Sequence, residues 1–288
     1  GGAATESDTP VNMASGVVIT GKDLDPMSAP DSLLPLIDAQ TMLVMAAYPD
    51  FFGRVYDLTA LAEATHAAGA LLCVTVNPTA LGLFTPPGDF GADIVTGEGQ
   101  PLGIPLAFGG PYLGLFATRK EYVRKMAGRL VGESLDNRGQ RAYVLTLTAR
   151  EQHIRREKAT SNICSNQGLM ALASAVYMSA LGKHGLRQVA ELCFHKAHYA
   201  AQQIHAIPGY QVLAETPFFH EFVVVCPIPV AEINEHLLEH GILGGYDLGQ
   251  AYPNNPEMAQ RMLVAVTEMN SKEDIDMLVA ALSEVNHD

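Results

Sequence analysis

The stretch TMLVMAAYPDFFGRVYDLTALAEATHAAGALLCVTVNP, residues 41–78, decides the fold class. Residues 42–47 are an unbroken apolar run stopped by Tyr48-Pro49, the pattern of a buried parallel strand. Asp57 stands where it can cap a helix. That helix would place Leu58, Leu61, Ala62 and Thr65 on one face and stop at Gly69. Residues 71–76 form a second apolar run, halted by Asn77-Pro78. Strand, helix and strand in this order predict an α/β fold with a parallel sheet and right-handed crossovers.

Working outward, short strands are expected at 93–96 and 113–118. A long apolar helix should span 163–181, opened by Thr160, Ser161 or Asn162 and closed at Gly182. A second helix comes next over 186–207, with Val189, Leu192, Cys193, Ala197 and Ala200 at helical spacing. Beyond Pro208-Gly209 the reading is strand 222–226, helix 230–240, strand 262–267 and helix 272–285. Ser271 and Asp274 would open that last helix as an acidic capping box. Upstream, residues 17–20 could be a short strand, and Pro26, Pro30 and Pro35 break up the segment between it and residue 40. The expected organisation is a weakly patterned segment at 1–40, a partial large α/β domain with a linking helix at 41–182, and a small C-terminal α/β domain at 183–288.

Composition narrows the functional classes. The 288 residues are 48% apolar and 17% charged, as in a well-packed soluble protein. A net charge of -13 disfavours a nucleic-acid backbone or an anionic membrane as a general partner. No apolar run reaches the roughly 18–20 residues of a membrane span, and no signal segment opens the chain. Cys73, Cys164, Cys193 and Cys226 are scattered without a CxxC pair, so neither a metal finger nor a redox motif is read, and no metal site is assigned. Reduced, buried thiols in a cytoplasmic protein are the expectation.

Three stretches could carry chemistry. Residues 97–105, Gly-Glu-Gly-Gln-Pro-Leu-Gly-Ile-Pro, come directly after a strand, where glycines let backbone amides approach a ligand. The segment is neither a P-loop nor a dinucleotide fingerprint, and a tight packed turn is the competing reading. Residues 148–158 gather Arg150, His153, Arg155, Arg156 and Lys158 in an acidic protein. Such a run is usually a solvated face, although this one sits between the two expected domains, where an anion pocket could lie. Tyr48-Pro49-Asp50-Phe51-Phe52-Gly53 ends a strand and could line a cleft or simply pack a turn.

Together the segments are more specific than any one of them. YPDFFG (48–53), PPGDFGADIVTGEGQPLGIPLAFGGPYLG (86–114), REQHIRREKATSNIC (150–164) and LMALASAVYMSALG (169–182) resemble, in order and spacing, the alpha subunit of the glycine cleavage system P-protein family. The similarity covers what would be its C-terminal two-thirds. The resemblance implies a type I fold of pyridoxal phosphate (PLP) enzymes, with glycine as substrate and partners in a beta subunit and a lipoyl H-protein. It implies glycine decarboxylation with transfer of the aminomethyl group to the lipoyl arm. PLP is expected on the beta subunit and none covalently on this chain. Aligned through Ile104-Pro105, Gln100 falls where the beta chain has its Schiff-base lysine, and an amide cannot form that bond. The strand 71–76 offers Cys73, Val74, Thr75 and Val76 where the beta chain has an Asp for the pyridine nitrogen. Tyr48, Gln100, Arg150, His153, Arg155 and Arg156 are the candidate shared-site residues, and no catalytic residue is assigned.

The resemblance leaves several strands of a type I large domain unaccounted for before residue 38. The chain is therefore expected to be a fragment, an engineered piece or a degenerate paralogue, and to associate through an unpaired sheet edge. A non-catalytic structural or interaction protein that keeps the fold is the alternative. A complete PLP enzyme using Lys120, Lys158 or Lys183 is the third reading, disfavoured because none of the three comes after a strand in the right loop.

Overall fold

The computed structural model describes residues 18–21, 23–126, 130–147, 152–159 and 167–285. The expected caps Thr160, Ser161 and Asn162 lie outside them, as do Val17, Cys164 and Arg150. Residues 18–20 form no strand.

The decisive stretch folds as read. β1 (Leu43–Tyr48), α1 (Thr59–Ala67) and β2 (Leu71–Val76) make a crossover unit, with Met45 beside Cys73 and Ala47 beside Thr75 in parallel register. The expected cap Asp57 instead sits one residue before the N-cap, Leu58, which has no side-chain cap bond. Asp57 accepts from the backbone amide and the hydroxyl of Thr59 just ahead of α1. α1 buries Leu61, Ala62 and Thr65 against the sheet. β3 (Ile94–Glu98) adds in parallel to β2, and β4 (Gly114–Thr118) closes the order β1-β2-β3-β4 antiparallel to β3. The sheet is therefore mixed. A loop that leaves β3 and returns beside it lets β4 pair antiparallel without a crossover helix.

One expectation is corrected here. β1 reads as a strand covered on both faces, yet its burial alternates: Val44 and Tyr48 are buried while Leu43, Met45 and Ala47 are exposed. Val44 and Tyr48 join Leu58, Leu61, Leu72 and Val74 in one apolar cluster. On the opposite face Met45 and Phe116 are exposed, although Cys73, beside Met45, is buried.

β5 (Leu130–Leu135) and β6 (Arg141–Thr146) form a separate hairpin, turned by Asp136, whose carboxylate accepts from the amides of Arg138 and Gln140. α2 (Gln152–Arg155) is a single turn. α3 (Gly168–His205) is broken at Gly182, whose φ of 60° and ψ of -176° leave the helical region. Sequence placed that break correctly. Past it, Ala190, Cys193, Ala197, Ala200 and Ile204 are buried, whereas the expected face residue Leu192 is exposed.

The C-terminal sheet runs β7-β8-β10-β9 and is antiparallel throughout: β7 (Gln211–Val212), β8 (Glu221–Val225), β9 (Tyr246–Asp247) and β10 (Arg261–Ala265). α4 (Val230–Glu239), the short α5 (Leu248–Ala251) and α6 (Lys272–Ser283) complete it. The Ser271/Asp274 capping box forms as expected. Val224, Met262, Ile233, Leu237 and Leu282 share one buried cluster between sheet and helices.

The two sheets are joined by main chain. Val55 donates to the Pro217 carbonyl at 2.7 Å, and Phe219 donates to the Gly53 carbonyl at 2.9 Å. Gly53 has a φ of +80°, and a Cβ there would fall 1.9 Å from the Glu221 carbonyl oxygen, so only glycine fits the joint. Among the described residues no helix is long and apolar enough to cross a membrane.

Candidate functional site

In a parallel sheet the strands' carboxyl ends gather the loops that meet ligands. After β1 the chain passes through Tyr48-Pro49 to Asp50. The Asp50 carboxylate accepts from the amides of Phe52 and Arg54 and pairs with the Arg54 guanidinium at 2.7 Å. Arg54 also donates to the Met27 carbonyl and lies over the rings of Phe52 and Tyr56. This arginine is a structural tie. The candidate Tyr48 is itself buried, edge-on to Phe90 at 5.4 Å, and burial, then the charge of Asp57, raises its hydroxyl pKa. It packs in the apolar cluster with Val44, Leu58 and Leu72.

After β2, Asn77 accepts the Thr79 amide on Oδ1, which turns its Nδ2 to donate to His220 Nε2 at 2.9 Å. Burial lowers the His220 pKa, so the ring is held neutral, with Nε2 as acceptor and the proton on Nδ1. Nearby, Cys193 donates to Glu268, and Lys196 donates to the carbonyls of Glu268 and Asn270. Burial first, and Glu268 second, push the Cys193 thiol up to about 12, which makes it inert as a nucleophile. The sequence reading missed the Asn77–His220 pair. No local signal could reveal it, because the partners come from different sheets.

After β3, the Glu98 carboxylate accepts from the amides of Gln100 and Leu113, and Gly99 donates to the Leu113 carbonyl. Gln100 donates from Nε2 to the Ile104 carbonyl at 2.7 Å, while Ile104 donates back to the Gln100 carbonyl. The glycine-rich segment is thus a loop closed on itself. Gly103 presses against α3, where a Cβ would meet the Tyr177 side chain at 2.6 Å. A cleft of about 440 Å³ opens beside it, lined by Pro78, Gly82, Pro101, Leu102, Tyr177 and Lys183.

These residues do not fit a covalently held PLP. Gln100 offers an amide already spent on a carbonyl. None of the described lysines comes directly after β1, β2 or β3 at the carboxyl edge, although Lys183 reaches the adjoining cleft from α3. No carboxylate ends β2, and Thr75 pairs with Thr96 instead. Asp93, the buried acid of this sheet, sits at the opposite edge, where it accepts the Leu72 amide and meets His66 and Arg119.

Of the cationic run, Arg155, Arg156 and Lys158 are exposed, on α2 and the turn after it. Arg150, Glu151 and the His153 side chain lie outside the described residues. The structure brings Tyr48, Asn77 and Gln100 to one sheet edge.

A mixed sheet with a glycine-rich loop at its carboxyl edge, a kinked connecting helix and an antiparallel C-terminal sheet is the type I fold of PLP-dependent transferases. A NifS-like protein from Rickettsia africae shares it, with a TM-score of 0.63 at 14% identity, over 89% of this chain and 66% of that one. The chain belongs to the glycine cleavage system P-protein family, whose model matches residues 14–282. A probable glycine dehydrogenase (decarboxylating) subunit 1 from Thermomicrobium roseum is 55% identical over 255 residues, 88% of this chain and 56% of that protein. A crystal structure of an inhibitor-bound glycine decarboxylase (P-protein) of the glycine cleavage system matches with a TM-score of 0.80 at 41% identity, over 86% of this chain and 56% of that one. The chain spans about half the length of the curated relatives it matches.

Proposed function

We propose that this chain works as part of subunit 1 of a glycine-decarboxylating P-protein, and that it shapes a shared site without holding the cofactor. In this reading a beta subunit carries PLP, glycine is the substrate, and the aminomethyl group passes to a lipoyl H-protein, in the cytoplasm. The observation that carries the proposal is Gln100, whose side-chain amide closes the loop onto Ile104 where a Schiff-base lysine would have to project. The loop's internal hydrogen bonds give it a role as a rigid wall, which positions neighbours and excludes water.

Borohydride treatment of the complex, with peptide mass analysis of the products, tests this. Pyridoxyl-lysine is expected on the beta subunit alone. A stoichiometric adduct on this chain, Lys183 in the cleft being the first to inspect, would overturn the assignment. The exposed Arg155 and Arg156 are proposed to complete the shared site by pairing with a carboxylate or phosphate. Arg155→Ala and Arg156→Ala should then lower glycine decarboxylation or beta-subunit capture more than Arg138→Ala on the exposed hairpin turn. The alternative, a non-catalytic protein keeping the fold, is favoured by the exposed Met45 and Phe116 on one sheet face. It requires a chain that neither captures the beta subunit nor supports decarboxylation.

A further inference from the structure

α4 and α6 pack through Ile233, Leu237, Ile275 and Leu282 in one buried cluster, which fixes their backbones relative to each other. At the solvent end of this contact, His236-Leu237-Leu238-Glu239-His240 places two imidazoles four residues apart on one helical face. Glu284, the residue capping α6, comes across to meet them. One ring nitrogen of each histidine and a carboxylate oxygen of Glu284 lie within 4.8 Å of one another.

The hydrogen bonds orient the donor set. His240 donates from Nδ1 to the His236 carbonyl at 3.0 Å, so its Nε2 carries the lone pair. That Nε2 faces Glu284 Oε2 at 3.2 Å. Two lone-pair atoms at this distance need a positive charge between them, either a proton or a cation. His236 Nε2 lies 3.0 Å from the Ala281 carbonyl, which holds its ring beside His240 and Glu284. Imidazoles held by carbonyls through their other nitrogen are the usual second layer of metal sites.

We propose that His236, His240 and Glu284 form a site for a divalent cation of the zinc class. Two imidazoles and a carboxylate with a fourth position open to water suit zinc and disfavour magnesium, which takes oxygen ligands. Tetrahedral zinc needs ligand atoms about 3.3 Å apart, within reach by small rotations of side chains that are exposed or half-exposed. The cation would tie the last turn of α4 to the end of α6. It would do so away from the cleft beside Gln100, and independently of the proposed function. The sequence reading assigned no metal here because the third ligand comes from a different helix.

The test uses the full chain without a polyhistidine tag and zinc chloride alone. Calorimetric titration should show saturable one-to-one binding, and zinc should raise the melting temperature. His240→Ala and Glu284→Gln, both at exposed positions, should each weaken binding at least about tenfold and remove the melting shift. His195→Ala, exposed on α3, should bind as the parent does, and magnesium should give no saturable signal. Absence of one-to-one binding by the parent, or parental affinity in both His240→Ala and Glu284→Gln, overturns the site.

Discussion

β1 and β8 read alike in sequence, Leu-Val-Met-Ala-Ala-Tyr and Glu-Phe-Val-Val-Val, but they live in different surroundings. β8 buries Phe222, Val223 and Val224 in succession, because α4 and α6 cover one face and the 248–258 segment with Phe52 covers the other. β1 buries Val44 and Tyr48 on the α1 side of its sheet and leaves Leu43 and Met45 exposed on the other. An apolar run therefore identifies a strand, and tertiary neighbours decide how many of its faces are dry.

The largest contrast is in packing. Phe222→Ala should cost about 3–5 kcal/mol in denaturant unfolding, the usual cost of deleting a buried aromatic. Phe116→Ala, on the open face, should change stability by less than about 0.5 kcal/mol. Equal effects would break the comparison. The open face is also expected to drive association, so light scattering should detect oligomers that Phe116→Lys and Met45→Lys reduce. A dilute monomer unchanged by either substitution would contradict this.

The joint between the two regions comes next. Gly53→Ala should destabilise by about 2–4 kcal/mol, since a methyl group there meets the Glu221 carbonyl and the backbone is left-handed. If the variant melts like the parent, the sheets are not locked through this strand.

Glu221 lies at the same joint. Burial first, and the charge of Asp50 second, push its carboxyl from 4.5 up to about 7. Because the folded-state pKa is raised, the stabilising contribution of the protonated form is fully present below about pH 4.5 and is lost as pH rises through about 7. Glu221→Gln should thus gain on the parent progressively over that window, reaching on the order of 2 kcal/mol above it. A difference that stays flat with pH would show Glu221 to be hydrated. A smaller effect than at Glu221 is expected at the α6 cap, where Ser271→Ala should cost about 1 kcal/mol in the same unfolding assay.

Sequence alone determined the order of the main strands and helices, though not the β5–β6 hairpin or the short β7, β9 and α5. It also located the break at Gly182, the Ser271/Asp274 cap and the position of the glycine-rich loop. All of these are set by chain-local physics: apolar periodicity, the φ freedom of glycine, and short side chains that bond neighbouring amides. Through the resemblance it also led to the expectation that Gln100 stands where the beta chain has its lysine, a matter of side-chain chemistry that needs no coordinates. Only the tertiary structure decided that β4 runs antiparallel and that Tyr48 is buried against Val44 and Leu72. It alone showed that Gln100 is bonded to Ile104, that Asn77 faces His220, and that Glu284 meets His236 and His240. The last two pairings join residues far apart in the chain. Which partner a side chain finds there depends on how sheets and helices stack, and local patterning carries no record of that.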